Sequence, residues 1–169
     1  MKIARANIKV LTIKLKFEKN LFIFTRQMMN LLIDIGNTFV KVALYEKRKV
    51  VKEFKFDDLK IDKIVNIIEK YKVVNSALSN VSNPNHELEI ILKNQTSFFS
   101  FKNDMKIPIN SPYSLNQVGD DRLALILAAH DEFPNDNVLV VDMGTCITYD
   151  LKSSNNEYKA GGISPGLKM

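Results

Sequence analysis

The stretch LLIDIGNTFVKVALYE, residues 31–46, decides the fold of this sequence. Its apolar run stops at Asp34, turns through a short polar segment and resumes at once as a second apolar run. The stretch VLVVDMGTCITYDL, residues 138–151, repeats the same order of apolar run, aspartate (Asp142), glycine and threonine. Because the two aspartates lie 108 residues apart, the pattern predicts an internal repeat of a whole subdomain.

The hydrophobic periodicity predicts an α/β chain between and around these two stretches. The second copy is expected to stop after its third strand, so that the chain would end within a domain. The predicted elements are strands over 31–35, 39–44 and 50–56, a helix over 59–71 capped by Asp57 or Asp58, a strand over 73–81, a helix starting at Pro84, a strand over 97–101, a helix over 118–133, and a further strand–turn–strand from Val138.

Composition and charge narrow the function classes. The net charge of +5 comes from residues 1–28, which hold seven Lys or Arg residues against one Glu, so the remainder has no basic excess. This distribution argues against nucleic-acid binding. No apolar run approaches the ~20 residues that span a bilayer, so no membrane partner is expected. The single cysteine, Cys146, excludes a disulfide framework and is expected to be a buried residue of a strand in a cytoplasmic protein.

Residues 1–28 differ in composition from the rest of the chain. Residues 8–17 alternate between apolar residues and lysines, which is compatible with an extra strand. The expectation is nevertheless that translation starts at Met28 or Met29, directly before the first repeat, and that the leading segment has no function.

The Asp34 turn has the groups that are needed to bind a nucleoside triphosphate with its metal ion. Asp34 offers a hard carboxylate oxygen for Mg²⁺, and Gly36 lets the backbone approach a ligand. Asn37 and Thr38 add hydrogen-bond donors, and Lys41 is expected to share a face with the phosphates. An ordinary hairpin in which Asp34 and Asn37 satisfy the turn backbone is the alternative. Two copies of the turn favour the phosphate site.

The second dense motif is YSLNQVGDDRLA, residues 113–124. Gly119 precedes Asp120, Asp121 and Arg122 at the start of an apolar helix. These charges are compatible with helix capping and dipole compensation. They are equally compatible with phosphoryl transfer, in which a carboxylate accepts a hydroxyl proton and an arginine binds an anionic substrate bidentately.

Taken together, the Asp-x-Gly-Asn-Thr turn, the Gly-x-Asp-Arg motif, the second Asp-x-Gly-Thr turn and the terminal GGISPGLK resemble type III pantothenate kinases. These belong to the actin-like ATPase superfamily, with the sugar and acetate kinases. The resemblance covers residues 29–169 and implies ATP-dependent phosphorylation of pantothenate, the first step of coenzyme A biosynthesis. It also implies Mg²⁺, a monovalent cation such as K⁺ or NH₄⁺, and a cytoplasmic homodimer.

The resemblance further implies duplicated ribonuclease-H-like domains, with the second copy truncated. The expected division is an extension over 1–28, a first domain over 29–117, and a linking helix with the start of a second domain over 118–169. Family members continue for about another half-domain, so this chain is expected to be a fragment. Whether the fragment itself is active is a separate question.

By position, the resemblance implies specific roles for the motif residues. Asp121 would be the proton acceptor, and Asp142 the ligand of the monovalent cation. The ATP contacts would be Asp34 (near the metal), Ile35, Gly36, Asn37, Thr38, Phe39, Val40, Lys41 and Thr145. The pantothenate contacts would be Tyr113, Gly119, Asp120, Asp121 and Arg122.

Two other interpretations stay open at this point. Another small-molecule kinase of the superfamily would share both aspartate turns without the GDDR and GGISPGLK context. A regulatory module that binds nucleotide would need no base, so Asp121 discriminates between a binding module and an enzyme.

Overall fold

A computed structural model describes residues 2–5, 28–47, 49–100, 108–114 and 117–166. The chain divides into two units, one of residues 18–105 and the other of residues 106–169 together with residues 1–17. The strands are β1 (Lys2–Arg5), β2 (Met29–Ile35), β3 (Val40–Glu46), β4 (Lys49–Phe56), β5 (Val73–Asn80), β6 (Ser97–Ser100), β7 (Val138–Met143), β8 (Cys146–Lys152) and β9 (Tyr158–Pro165). The helices are α1 (Ile61–Tyr71), α2 (His86–Gln95) and α3 (Asp120–Glu132).

The unit of residues 18–105 is built on a five-stranded sheet of order β4-β3-β2-β5-β6. The strands β2, β3 and β4 form an antiparallel meander, and β5 and β6 continue from β2 in parallel. Helix α1 lies between β4 and β5 in sequence, as the crossover to a parallel strand requires. This strand order and orientation are those of the ribonuclease-H-like α/β fold, so the predicted α/β class is confirmed, and the duplication with a truncated second copy stays a prediction.

The core of this unit follows from the sequence periodicity. Strand β2 carries a continuous apolar run, in which Leu31, Leu32 and Ile33 are at most 1% exposed. Helix α1 buries residues 64, 67 and 68, the three-and-four spacing of an amphipathic helix. Burial of this stripe against the sheet gives the helix most of its stability, since a helix of 11 residues is marginal alone.

Both predicted helix starts in this unit are wrong by a few residues. Helix α1 begins after Lys60, whose side chain makes no capping bond, because β4 continues to Phe56 and Asp57 and Asp58 lie in the bend that follows. Helix α2 begins after Asn85, whose side chain accepts from the Leu88 N–H at 2.9 Å. A side-chain oxygen at this position satisfies one orphan amide, so the cap lies beyond Pro84.

The second unit contains a four-stranded sheet of order β1-β7-β8-β9. The strands β7, β8 and β9 form the predicted second meander, and β1 pairs in parallel with β7. Helix α3 packs against β7 and β8 and buries seven consecutive residues, 123 to 129. The sequence pattern assigned no element to residues 2–5, and the alternation over residues 8–17 lies outside the described residues.

Two further observations concern the exposure of Cys146 and the possibility of a membrane-spanning helix. Cys146 is exposed at the first position of β8, so the expectation of a buried cysteine is wrong. The strand begins at this residue, directly after the turn, and burial starts only further along. None of the described helices is long and apolar enough to span a membrane.

Candidate functional site

The Asp34 turn joins β2 to β3 in the unit of residues 18–105. The Gly36 N–H donates to the Phe39 carbonyl at 3.1 Å, which closes the turn. Asp34 pairs with Lys41 across the two strands, and Lys41 Nζ lies 4.0 Å from Asp34 Oδ2. From the other side, Ser79 Oγ on β5 donates to Asp34 Oδ1 at 3.3 Å. The carboxylate is therefore held at the end of the strand by groups from both neighbouring strands.

The exposure of these groups suits a charged ligand. The Asp34 side chain is 27% exposed and the Lys41 side chain 50% exposed, and Asn37 and Thr38 are exposed in the turn. The Lys55 ammonium lies 3.4 Å from the centroid of the Phe39 ring and fixes that ring against β4. An accessible carboxylate oxygen beside a lysine and two polar turn residues fits a magnesium-bound phosphate group.

The Asp142 turn joins β7 to β8 in the second unit. The Gly144 N–H donates to the Cys146 carbonyl at 2.9 Å, and the Gly166 N–H donates to the Thr145 carbonyl at 3.1 Å. Asp142 pairs with Thr148, so both side chains stand on the same face of the sheet. The Thr148 hydroxyl is buried and has no hydrogen-bond partner among the described residues.

A carboxylate and a neutral hydroxyl on one face are the oxygen ligands that a hard cation takes. The orphaned Thr148 hydroxyl therefore fits the expected monovalent cation better than it fits a closed side-chain network. In the part of the chain that the structure describes, no group of three or more His, Cys, Asp or Glu side chains is placed to hold a metal ion.

The Gly119–Arg122 segment forms the start of α3. Gly119 is the N-cap and offers no side-chain cap, and Asp121 Oδ1 accepts from the Arg122 N–H at 2.7 Å. The carboxylate folds back over the glycine, because a Cβ atom at Gly119 would lie 2.5 Å from Asp121 Oδ1. Any larger residue at position 119 would displace the carboxylate, which gives the glycine of this motif a physical role.

Arg122 turns away from its own helix to a carboxylate on β8. Its Nε donates to Asp150 Oδ2 at 2.9 Å and its Nη2 to Asp150 Oδ1 at 2.7 Å. The bidentate partner of Arg122 is thus a residue of the protein, and Asp150 is only 1% exposed. The hydrogen bond to Asp150 raises the pKa of Arg122 above its ordinary value, although burial acts in the opposite direction.

Two tyrosines complete this cluster. The Tyr158 hydroxyl donates to Asp150 Oδ1 at 2.7 Å, and the Tyr113 ring packs edge-on against the Tyr158 ring with centroids 5.8 Å apart. Burial, and then the hydrogen bond to Asp150, raise the pKa of Tyr158 well above its usual range. Tyr113 itself is 37% exposed, so one substrate-motif residue lies at the surface of the cluster.

Within the second unit, the structure brings Tyr113 and Arg122 together through Asp150 and Tyr158. Sequence reasoning missed both connecting residues. The available signal was the alternation of β8, which places Asp150 and Lys152 on the inward face together with Thr148. A charged residue at an inward position of a strand is uncommon and indicates a buried partner.

Comparisons with known proteins identify the same family that the sequence motifs resemble. The family model described as type III pantothenate kinase matches residues 30–169. The chain is 39% identical over 146 residues to the type III pantothenate kinase of Christiangramia forsetii, covering 83% of this chain and 59% of the relative. It is 36% identical over 143 residues to that of Bacteroides fragilis strain YCH46, with the same two coverages.

The chain belongs to the type III pantothenate kinase family. It spans 59% of the length of these curated relatives. Among solved structures, similarity extends to a Bacteroides thetaiotaomicron protein with actin-like ATPase fold and unknown function, with a TM-score of 0.41, 9% identity, and coverage of 58% of this chain and 41% of that one. It also extends to the ethanolamine utilization protein EutJ of Carboxydothermus hydrogenoformans, with a TM-score of 0.42, 12% identity, and coverage of 94% and 62%.

Proposed function

We propose that this chain supplies the phosphate-binding turn and the substrate motif of a pantothenate kinase. The reaction transfers the γ-phosphate of ATP to the primary hydroxyl of pantothenate and yields ADP and 4′-phosphopantothenate. Family membership supports this reaction class. The observation that carries the proposal is the Asp121 carboxylate, which the Arg122 N–H holds at 2.7 Å over a glycine that leaves room for it.

The Asp34 turn takes the role of the nucleotide site in this proposal. Asp34 binds Mg²⁺ of the magnesium–ATP complex, and Lys41 neutralises phosphate charge beside it. Asp34 would hold this metal, which would supply positive charge to offset the negative charge that develops on the phosphate during transfer. The remaining ATP contacts are made by the turn and its flanks, through Ile35, Gly36, Asn37, Thr38, Phe39 and Val40, and by Thr145 in the second unit.

The GDDR segment takes the role of the substrate site. The hydroxyl oxygen of pantothenate forms a bond to the γ-phosphorus, and the bond from that phosphorus to the bridging oxygen of ADP breaks. The hydroxyl proton moves to the carboxylate of Asp121, which lies in the first turn of α3. Tyr113, Gly119, Asp120 and Arg122 contact the rest of pantothenate.

Three finer features belong to the same proposal. Asp142 binds a monovalent cation, K⁺ or NH₄⁺, and the buried Thr148 hydroxyl on the same face supports an oxygen-ligand site there. The active protein is a homodimer, and it works in the cytoplasm. Family membership is the support for the last two features.

The test is a pair of adjacent substitutions in the GDDR motif. Asp121→Asn should lower kcat by on the order of 10²–10⁴, the usual contribution of a general base, while calorimetry should show nearly unchanged pantothenate binding. Asp120→Asn is the matched control and should be mild, because its carboxylate is not the proton acceptor. ADP release coupled to NADH oxidation measures turnover. A crippled Asp120→Asn enzyme with a normal Asp121→Asn enzyme would contradict the proposal.

A further inference from the structure

Asp150 is the most buried carboxylate of the second unit, and its function is not explained by the motifs. It is 1% exposed on β8 and accepts three hydrogen bonds, two from Arg122 and one from Tyr158. Arg122 Nη2 also donates to the carbonyls of Tyr149 at 3.3 Å and Gly161 at 3.2 Å. The guanidinium is therefore fixed in one plane by acceptors from β8 and β9.

A buried ion pair of this kind is expensive to form, because both charges lose their hydration. The pair is tolerated only when the geometry is good and further hydrogen bonds are made. Here both Asp150 oxygens and the Nε and Nη2 atoms of Arg122 are hydrogen-bonded. Replacement by apolar residues is often neutral for stability, so stability alone is a weak reason to retain the pair. A positioning role would give a functional reason.

The contacts of Arg122 connect this ion pair to the proposed base. The Arg122 side chain is held by Asp150, and the Arg122 backbone N–H holds Asp121 Oδ1 at 2.7 Å. One residue thus links the carboxylate on β8 to the carboxylate at the start of α3. The bidentate edge of the guanidinium, Nε and Nη2, binds Asp150. Nη1 makes no hydrogen bond to any residue that the structure describes, so it remains as the donor for an anionic substrate.

We propose that Asp150, supported by Tyr158, is a positioning residue of the kinase: it fixes Arg122 so that Asp121 and the Nη1 edge keep one orientation toward pantothenate. This role rests on the proposed function. Arg122 then binds the substrate carboxylate through one nitrogen, and its other donors set the geometry of the motif. Misplacement of reacting groups by about 1 Å costs on the order of 10²-fold in rate, so this fixation is worth a measurable part of kcat.

The test compares Asp150→Asn with Lys152→Met in the full chain. Asp150→Asn should lower kcat by roughly 10- to 100-fold while KM for ATP stays the same, because an amide places a donor against the guanidinium. Lys152 is the matched control: it is 0% exposed on the same strand and face, and its Nζ donates to the backbone carbonyls of Phe133, Pro134 and Asp136. Lys152→Met should lower the melting temperature and leave kcat per folded molecule unchanged.

A spectroscopic readout separates this role from the proposed reaction. The Nε–H resonance of Arg122 should exchange slowly with solvent in the wild-type chain and rapidly in Asp150→Asn. Tyr158→Phe, which keeps the ion pair, should retain slow exchange and lose roughly two- to fivefold in kcat, as expected for one hydrogen bond. If Asp150→Asn does not fold, the Tyr158→Phe variant alone tests the proposal.

The outcomes are distinguishable. If the wild-type chain neither binds nor phosphorylates pantothenate, the proposed function is wrong, and the positioning role is wrong with it. If the wild-type chain is active and Asp150→Asn shows fast Nε–H exchange with wild-type kcat, only the positioning role is wrong. An equal loss of kcat in Lys152→Met would also overturn it, because that loss would follow from stability alone.

Discussion

The two aspartate turns occupy the same place in two similar meanders and are built from different partners. Asp34 stands opposite a lysine, Lys41, whereas Asp142 stands opposite Thr148. The first pair combines a carboxylate with a half-exposed positive charge, which suits a metal ion together with anionic phosphates. The second pair combines a carboxylate with a neutral hydroxyl, which suits a single weakly bound cation.

The turns also differ in length and in their neighbours. In the first turn the Gly36 N–H donates to the carbonyl of Phe39, three residues further on. In the second turn the Gly144 N–H donates to the carbonyl of Cys146, only two residues further on. Beside the first turn, β5 places Ser79 next to Asp34, and the Ser79 hydroxyl donates to the carboxylate at 3.3 Å. The same strand–turn–strand arrangement therefore surrounds each aspartate with different chemical groups, because the flanking residues differ.

The largest expected effect separates the two turns by their ions. Asp34→Asn should lower kcat/KM for magnesium–ATP by about 10²-fold, because a charged oxygen ligand becomes neutral where charge develops. Asp142→Asn should leave the magnesium dependence unchanged and weaken the activation by K⁺. Initial rates in crossed titrations of MgCl₂ and KCl measure both. Identical ion profiles for the two variants would show that the turns are not specialised in this way.

The next effect concerns the third strand of each meander. β4 carries a side chain at every position, whereas β9 has adjacent glycines at 161 and 162. A Cβ atom at Gly161 would lie 2.4 Å from the Tyr149 carbonyl, but a Cβ atom at Gly162 would meet nothing within 4 Å. Gly161→Ala should therefore cost about 1–3 kcal/mol in the free energy of unfolding, the usual size of overpacking, and loosen the carbonyls around Arg122.

Gly162→Ala is the control for this substitution. It removes backbone freedom from the unfolded chain without a clash, so its free energy of unfolding should be unchanged or slightly higher. Urea unfolding followed by circular dichroism measures both variants. Equal stability of the two alanine variants would mean that β9 does not approach β8 as closely as described.

How far the sequence predicted this structure depends on the range of each interaction. Strands and the first helix follow from local periodicity, because burial of one face imposes a period of 2 or 3.6. The start of α1 was misplaced because β4 continues to Phe56, and tertiary pairing rather than a cap decided where the helix could begin.

The candidate site was predictable only where its residues are neighbours in sequence. The residues of the Asp34 turn and those of the GDDR motif are neighbours in sequence, so their residue types are sufficient to predict both sites. The partner of Arg122 lies 28 residues further on, within a strand, and no local pattern links the two. The pairing of Lys2–Arg5 with β7 was missed for the same reason, since composition says nothing about a partner more than a hundred residues away.

The smallest expected effect tests the neutral hydroxyl that distinguishes the second turn. The Thr148 hydroxyl is buried without a partner among the described residues, and a buried hydroxyl without a hydrogen bond is destabilising. Thr148→Val should therefore raise the free energy of unfolding by roughly 0.5–1 kcal/mol in a buffer whose only cation is tetramethylammonium. Thr145→Val, at an exposed position of the same turn, should change little.

Potassium chloride reveals what the hydroxyl does in the native protein. If Thr148 supplies an oxygen to the cation beside Asp142, K⁺ stabilises the wild-type chain and not the valine variant, so the advantage of valine should shrink or reverse. Urea unfolding of both chains with and without 100 mM KCl is the measurement. If the valine variant is more stable by the same amount in both buffers, Thr148 is not a ligand of a cation beside Asp142. The contrast between the two turns would then rest on Lys41 alone.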